Sequence, residues 1–215
     1  MRVRAVIFDL WETLVDWPLE DSRAHRLSLI ERLGLDEDAF ERKWRETFRT
    51  RETGPLAAAY AALGIPEEHL ETHVGHRHEL TRRALRPRPG TLETLDELER
   101  RGIKRGLISM CTEDVPAAWP ETEFAPRFEA ATFSASCGLV KPEPEIYLHT
   151  TEQLGVAPDD CLYVGDGAND ELRGASDVGM TPVLIVPPDR DPWWPGLENW
   201  QGLKIHSIPE VLELC

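Results

Sequence analysis

The run Val3-Arg4-Ala5-Val6-Ile7-Phe8 is almost unbroken in its apolarity and stops at an acid, Asp9. With no polar face to turn to water, such a strand must be covered on both sides, as strands are inside a parallel sheet. Asp9 then falls at the strand's carboxyl end, the edge at which open α/β sheets hold their ligands. A carboxylate there sets a condition on the rest of the chain. Other strands must end in groups that can share its charge.

After Leu14 the pattern changes. Val15-Asp16-Trp17-Pro18 reads as a turn, with Pro18 holding its predecessor extended. From Leu19 to about Leu85 the apolar residues follow helical periodicity. Leu27, Leu29, Ile30 and Leu33 mark a helix with Asp21 or Ser22 as N-cap and Gly34 as its stop. Phe40, Trp44 and Phe48 mark a second, after Asp36. Leu56, Ala59, Tyr60 and Leu63 mark a third between Pro55 and Gly64, and Leu70, Val74, Leu80 and Leu85 a fourth after Pro66. Arg86-Pro87-Arg88-Pro89-Gly90 is a stiff connector of the kind that separates domains. Residues 16–86 therefore read as a helical cap domain, and residues 1–15 with 87–215 as a core domain. In the core, a helix through Leu92, Leu95 and Leu98 leads to a strand at Lys104–Ser109. Further strands follow around Ala130–Phe133, at Cys161–Val164 and at Pro182–Val186, separated by helices at 143–154 and 169–178. This alternation indicates an α/β fold with a Rossmann-like parallel sheet and an inserted α-helical cap.

The bulk numbers narrow the partners. The formal net charge of −15 is spread along the 215 residues. Such a surface repels nucleic acid and anionic membranes, because both are bound by cationic neutralisation of phosphate. An anionic substrate would need positive charge gathered at the site. Cys111, Cys137, Cys161 and Cys215 form no C-x-x-C pair and fit free thiols in a reducing cytoplasm. No stretch has the length and apolarity of a membrane span. The expectation is a cytoplasmic monomer or homodimer.

The strand ends share a theme. The first ends in Asp9, the second in Ser109. Lys141 stands in the loop Gly138-Leu139-Val140-Lys141-Pro142, and the fourth strand ends in Gly165-Asp166-Gly167-Ala168-Asn169-Asp170. A parallel sheet brings these ends to one edge. Clustered acids repel unless a cation sits among them. Asp9, Asp166 and Asp170 offer the hard oxygens that Mg²⁺ accepts, and Lys141 adds a fixed positive charge. Ser109 and nearby backbone N–H groups can donate to phosphate oxygens, while an Asp carboxylate can act as a nucleophile.

In this order the motifs resemble those of the haloacid dehalogenase superfamily. Phe8-Asp9-Leu10-Trp11-Glu12-Thr13-Leu14 is similar to its first motif, D-x-D-G-T, with apolar flanks. Ser109 matches the second motif, Lys141 the third, and Asp166 with Asp170 the fourth. The helical segment is similar to the family's C1-type cap. The resemblance implies that Asp9 is the nucleophile and a metal ligand, that the backbone carbonyl of Trp11, Asp166 and Asp170 complete a Mg²⁺ site, that Ser109 and the N–H of Met110 hold the transferred phosphoryl, and that Lys141 orients Asp9 and that group. The implied reaction is hydrolysis of a small phosphorylated metabolite.

Trp11 departs from that pattern. The family's phosphatases carry a second Asp there, as acid for the leaving group and base for water. Indole only donates through its N–H and does neither. Proton transfer of this kind is worth about 10²–10⁴-fold. The family's dehalogenases also place a non-acidic residue here and need no metal, so a 2-haloacid dehalogenase using Asp9, or a non-catalytic binder of a phosphorylated ligand, are the alternatives. Glu12 is one step along and should turn its side chain away. His69, His73, His76 and His78 read as a solvated helix face. Arg77, Arg82, Arg83, Arg86 and Arg88 read as either an anion-attracting surface or partners of nearby acids. Trp193, Trp194 and Trp200 read as packing against the sheet edge.

Overall fold

The computed structural model describes residues 2–188, 192 and 194–215. Within them β1 (Ala5–Phe8), β2 (Lys104–Ser109), β3 (Ala130–Phe133), β4 (Cys161–Gly165), β5 (Thr181–Ile185) and β6 (Leu203–Ile205) form one sheet in the order β3-β2-β1-β4-β5-β6. Every pairing is parallel. The apolar run does what its sequence requires: all four residues of β1 are fully buried, with Phe8 paired to Leu107 on one side and Val164 on the other. Val6 and Phe8 pack with Leu95, Leu98 and Trp119 on one face of the sheet. Ala5 and Ile7 pack with Ile146, Tyr147 and Leu154 on the other. The chain runs outward from β1 through β2 and β3, then returns to β4, so the order reverses at β1/β4. That reversal opens the crevice beside Asp9.

The core helices are α6 (Thr91–Arg100), α7 (Asp114–Ala118), α8 (Ser134–Cys137), α9 (Pro144–Leu154) and α10 (Glu171–Asp177). β6 was not expected from sequence. Its three residues Leu203-Lys204-Ile205 carry little apolar signal, and only Ile205 is buried; pairing with β5 defines it.

Between β1 and α6 stand α1 (Leu19–Leu33), α2 (Glu37–Glu46), α3 (Phe48–Thr53), α4 (Leu56–Leu63) and α5 (Glu67–Ala84). They share an apolar cluster of Leu29, Phe40, Leu56, Tyr60, Leu63 and Ile65, separate from the two that flank the sheet. Two details differ from the sequence reading. The first helix starts at Leu19 directly after Pro18, leaving Glu20 and Asp21 in its first turn, where carboxylates favour the helix dipole. The second breaks at Thr47, so Phe48 belongs to α3 although its spacing continues that of Phe40 and Trp44. Asp36 caps α2 by accepting from the Ala39 N–H at 2.7 Å.

The helical segment is fastened to the sheet by buried polar contacts. Arg77 of α5 donates to the fully buried Asp114 at 3.1 Å, and Asp114 also accepts from the hydroxyls of Thr81 and Thr112. The Leu56 N–H donates to Glu113 at 2.9 Å. Arg88 spans the two connections: it donates to Glu12 at 2.8 Å, to Asp16 and to the carbonyls of Glu12 and Thr13. Arg77 and Arg88 are thus partners of acids, as are Arg82 and Arg83, which reach Glu79. The histidines are not all solvated. His73 is buried, and His25 bonds the Tyr60 hydroxyl at 2.8 Å and His76 at 3.0 Å. Of the three tryptophans near the C-terminus, Trp193 lies outside the described residues and Trp200 packs against the second apolar cluster. Among the described residues no helix is long and apolar enough to cross a membrane.

Arg88 and Glu12 are both nearly buried, with side chains 11% and 12% exposed. Removing one partner of such a pair leaves an uncompensated charge, at a cost of about 3 kcal/mol. Arg88→Ala should lower the denaturant midpoint accordingly; an unchanged midpoint would show that the clamp contributes nothing.

Candidate active site

Asp9 follows β1 immediately, and its N–H continues the ladder to the Val164 carbonyl at 2.8 Å. Its carboxylate accepts from Lys141 Nζ at 2.5 Å, and the same ammonium donates to Glu171 at 2.5 Å. Asp9, Asp166 and Glu171 present oxygens within 4.8 Å of one another, all buried. The structure therefore brings Asp9, Lys141 and Asp166 together, as the sequence reading expected.

The fourth acid is different. Asn169 and Asp170 both take left-handed backbone angles, φ 54° and 55°, a conformation that Asn and Asp tolerate better than most side chains. This double turn swings Asp170 outward, where it pairs with Arg173 at 3.1 Å and its side chain is 66% exposed. The helix then starts at Glu171, whose side chain runs back beneath the strand ends. There it accepts from Tyr163 at 2.8 Å and from the Gly167 N–H at 3.0 Å. Gly165 is what makes room: a Cβ there would lie 2.1 Å from Glu171 Oε1. Glu171, not Asp170, joins the cluster.

Burial and mutual repulsion leave their mark on these acids. Desolvation, with Glu171 adding to it against the pull of Lys141, raises Asp9 to about 6. Desolvation and the Asp9 charge raise Asp166 to about 6. Burial works against the Lys141 ammonium, but the facing Asp9 and Glu171 carboxylates outweigh it and hold its pKa above the usual lysine value. One lysine does not neutralise three carboxylates. Glu171 already accepts from Lys141, Tyr163 and Gly167, which leaves Asp9 and Asp166 as the less engaged hard oxygens suited to a divalent ion. Asp166 is itself oriented by the Ala168 N–H at 3.1 Å and the Trp194 indole at 2.9 Å. That indole contact has no counterpart in the expectation of sheet-edge packing.

Ser109 ends β2, two strands' ends from Asp166. Its hydroxyl is buried with no hydrogen-bond partner, beside the buried Cys111 thiol, which burial pushes well up and the nearby Ser109 hydroxyl pulls back. Such a group is a donor held ready for a ligand oxygen. Glu12 points away from the cluster. Its φ of 58° is left-handed, and its carboxylate accepts from Arg88 and from the Trp17 N–H at 2.7 Å.

Above this edge lies a cavity of about 590 Å³ between the helical segment and the strand-end loops. Asp9 is outside its lining. The cavity reaches the neighbourhood of Asp9 through Trp11, Met110, Thr112 and Asn169, which stand on the loops after β1, β2 and β4.

The sequence profile of haloacid dehalogenase-like hydrolases matches residues 3–179. The chain belongs to that family. Among its relatives is the glyceraldehyde 3-phosphate phosphatase of Methanopyrus kandleri, 28% identical over 200 residues that cover 85% of this chain and 84% of the relative. Of solved structures, a haloacid dehalogenase-family phosphatase from Thermococcus onnurineus superposes with TM-score 0.71 at 23% identity, covering 100% of this chain and 97% of that one. A 2-haloacid dehalogenase from Pseudomonas syringae superposes with TM-score 0.68 at 19% identity, covering 99% and 97%. Structures of both reaction types share the fold, so the fold alone does not choose the reaction.

The raised Asp9 and Asp166 have a sign to test. The folded, metal-free protein binds protons between about pH 4 and 6 that the unfolded chain has already released. Stability therefore falls as pH rises through that window and stays lower above it. Asp166→Asn in chelator should be more stable than wild type at pH 7.5, with the difference shrinking at pH 4; a variant less stable at both pH values would contradict this.

Proposed function

We propose that this hydrolase is a Mg²⁺-dependent phosphatase that acts on a small phosphorylated metabolite through an Asp9 phospho-intermediate. The observation that carries the reading is the buried Asp9 carboxylate, oriented by Lys141 and standing beside Asp166 at the sheet's switch point. The phosphatase named among the relatives supports the substrate class. Residues 16–86 act as a cap over the core formed by residues 1–15 and 87–215.

Lys141 donates to one Asp9 oxygen, leaving the other to attack phosphorus in line with the leaving group. The Ser109 hydroxyl, otherwise unpartnered, and the Met110 N–H donate to the phosphoryl oxygens. Asp9, Asp166 and the Trp11 carbonyl would hold Mg²⁺, which would neutralise charge on the transferred group. Asp170 is left out of this set because its carboxylate faces Arg173. Lys141 keeps Glu171 and Asp9 from repelling each other throughout. The closeness of Asp9 and Asp166 weighs against a metal-independent dehalogenase, in which Asp166 would stand beside the nucleophile as uncompensated negative charge. Four free cysteines support a cytoplasmic location.

The test is phosphate release from a panel of phosphate monoesters. Release should require Mg²⁺, stop with chelator and vanish in Asp9→Asn. Halide release from 2-haloacids that ignores chelator would replace this reading with the dehalogenase one.

A further inference from the structure

Next to Asp9 the cavity is lined by Trp11, Met110, Thr112 and Asn169, none of them an acid; its two carboxyls, Glu37 and Glu52, stand on the helical segment. Trp11 occupies the position nearest the nucleophile and is not an acid. Glu12 is turned into the Arg88 clamp. Glu52 is paired with Arg51 at 3.1 Å while burial holds its carboxyl above the usual value, and Glu37 is exposed at the start of α2. His25 is tied to Tyr60 and His76, and burial pushes it down to about 4, so its ring is neutral in the working range. Asp114, beside the cavity, already accepts from Arg77, Thr81 and Thr112. Among the described residues, then, no acid lines the cavity on the loops beside Asp9, where the leaving group departs.

Aromatic side chains and arginines share the walls of the same cavity, with Arg51 over the Trp44 ring at 3.8 Å and Arg77 over the Trp17 ring at 5.5 Å. Trp11 and Trp17 meet edge to face, ring centroids 5.0 Å apart and planes at 78°, forming a corner on the Asp9 side. Trp44, Phe48 and Tyr60 continue the lining toward the helices. Its volume of about 590 Å³ lies within the range of sites that enclose a ring-bearing ligand, and a two- or three-carbon ester would leave most of it to water.

Resting on the phosphatase reading, we infer that the substrates are aryl phosphate monoesters, with the ring seated in the Trp11–Trp17 corner and a phenolic oxygen as leaving group. The two observations are independent, one chemical and one of shape. A phenol ionises near pH 10, whereas an alkyl alcohol is about as weak an acid as water, near 15.7. The phenolic oxygen departs as the anion without help. In the first step an Asp9 oxygen bonds to phosphorus, and the P–O(aryl) bond breaks with its electron pair going to the phenolate. In the second, water attacks phosphorus and the Asp9 carboxylate leaves, itself a good leaving group that needs no acid. One proton of that water ends on the phenolate, giving the phenol and hydrogen phosphate.

Phenyl, benzyl and ethyl phosphate separate the possibilities, assayed with Mg²⁺. Benzyl phosphate keeps the ring but leaves as an alkoxide. The expected kcat for phenyl phosphate exceeds that for benzyl and ethyl phosphate by about 10²-fold or more, with phenyl and benzyl sharing a KM below that of ethyl. Trp17→Ala should raise KM for the two ring-bearing esters, and Trp17→Phe should restore it. Trp11→Asp should close the phenyl-to-benzyl gap by raising the benzyl rate. If wild-type kcat values for the three esters agree within about threefold, the aryl assignment is overturned while the phosphatase reading stands. If none of the three is hydrolysed, the phosphatase reading fails and the assignment with it.

Discussion

The fold's chemistry depends on one ammonium between two buried carboxylates. Lys141 bridges Asp9 and Glu171 at 2.5 Å each, and neither acid could be buried there without it. The sheet order makes that bridge possible. β1 lies between β2 and β4, so the acid after β1, the hydroxyl at the end of β2 and the acidic loop after β4 reach one edge from distant parts of the sequence. Gly165 and the left-handed pair Asn169–Asp170 then shape the loop so that a helix-opening acid folds back under the strands.

What could be read in the sequence was whatever local pattern dictates. The apolar run before Asp9 required a doubly covered strand, and α9 and β4 lie where periodicity put them. Asp9, Lys141 and Asp166 were identifiable because strand-end chemistry and motif order agree. Glu171 was not, because the preference for Glu171 over Asp170 rests on two consecutive positive φ values, and no periodicity reports those. The break at Thr47 was hidden for a similar reason, since apolar spacing continues across it. β6 has almost no apolar signal and exists through pairing. The Glu12–Arg88 clamp joins residues far apart in sequence, and it explains why Glu12 is unavailable to the reaction. The Trp194–Asp166 hydrogen bond is equally nonlocal.

The substitution at Trp11 changes how the site must work. A site built to protonate its leaving group tolerates many alcohols and draws its selectivity from elsewhere. On the proposed reading the same residue removes the acid and supplies an aromatic wall, so one side chain selects both leaving-group chemistry and substrate shape. Arg77, paired with Asp114, ties the helical segment to the core beside that wall, while Arg51 pairs with Glu52 within α3.

The nucleophilic role of Asp9 is the claim from which the rest follows, and it is tested most directly by trapping the intermediate. The protein is quenched in acid during steady turnover of phenyl phosphate with Mg²⁺, digested and mapped by mass spectrometry. A phosphoryl group on the peptide containing Asp9, absent when Mg²⁺ is chelated, is the predicted result. Turnover with no phosphorylated peptide, or with the group on another residue, would contradict it.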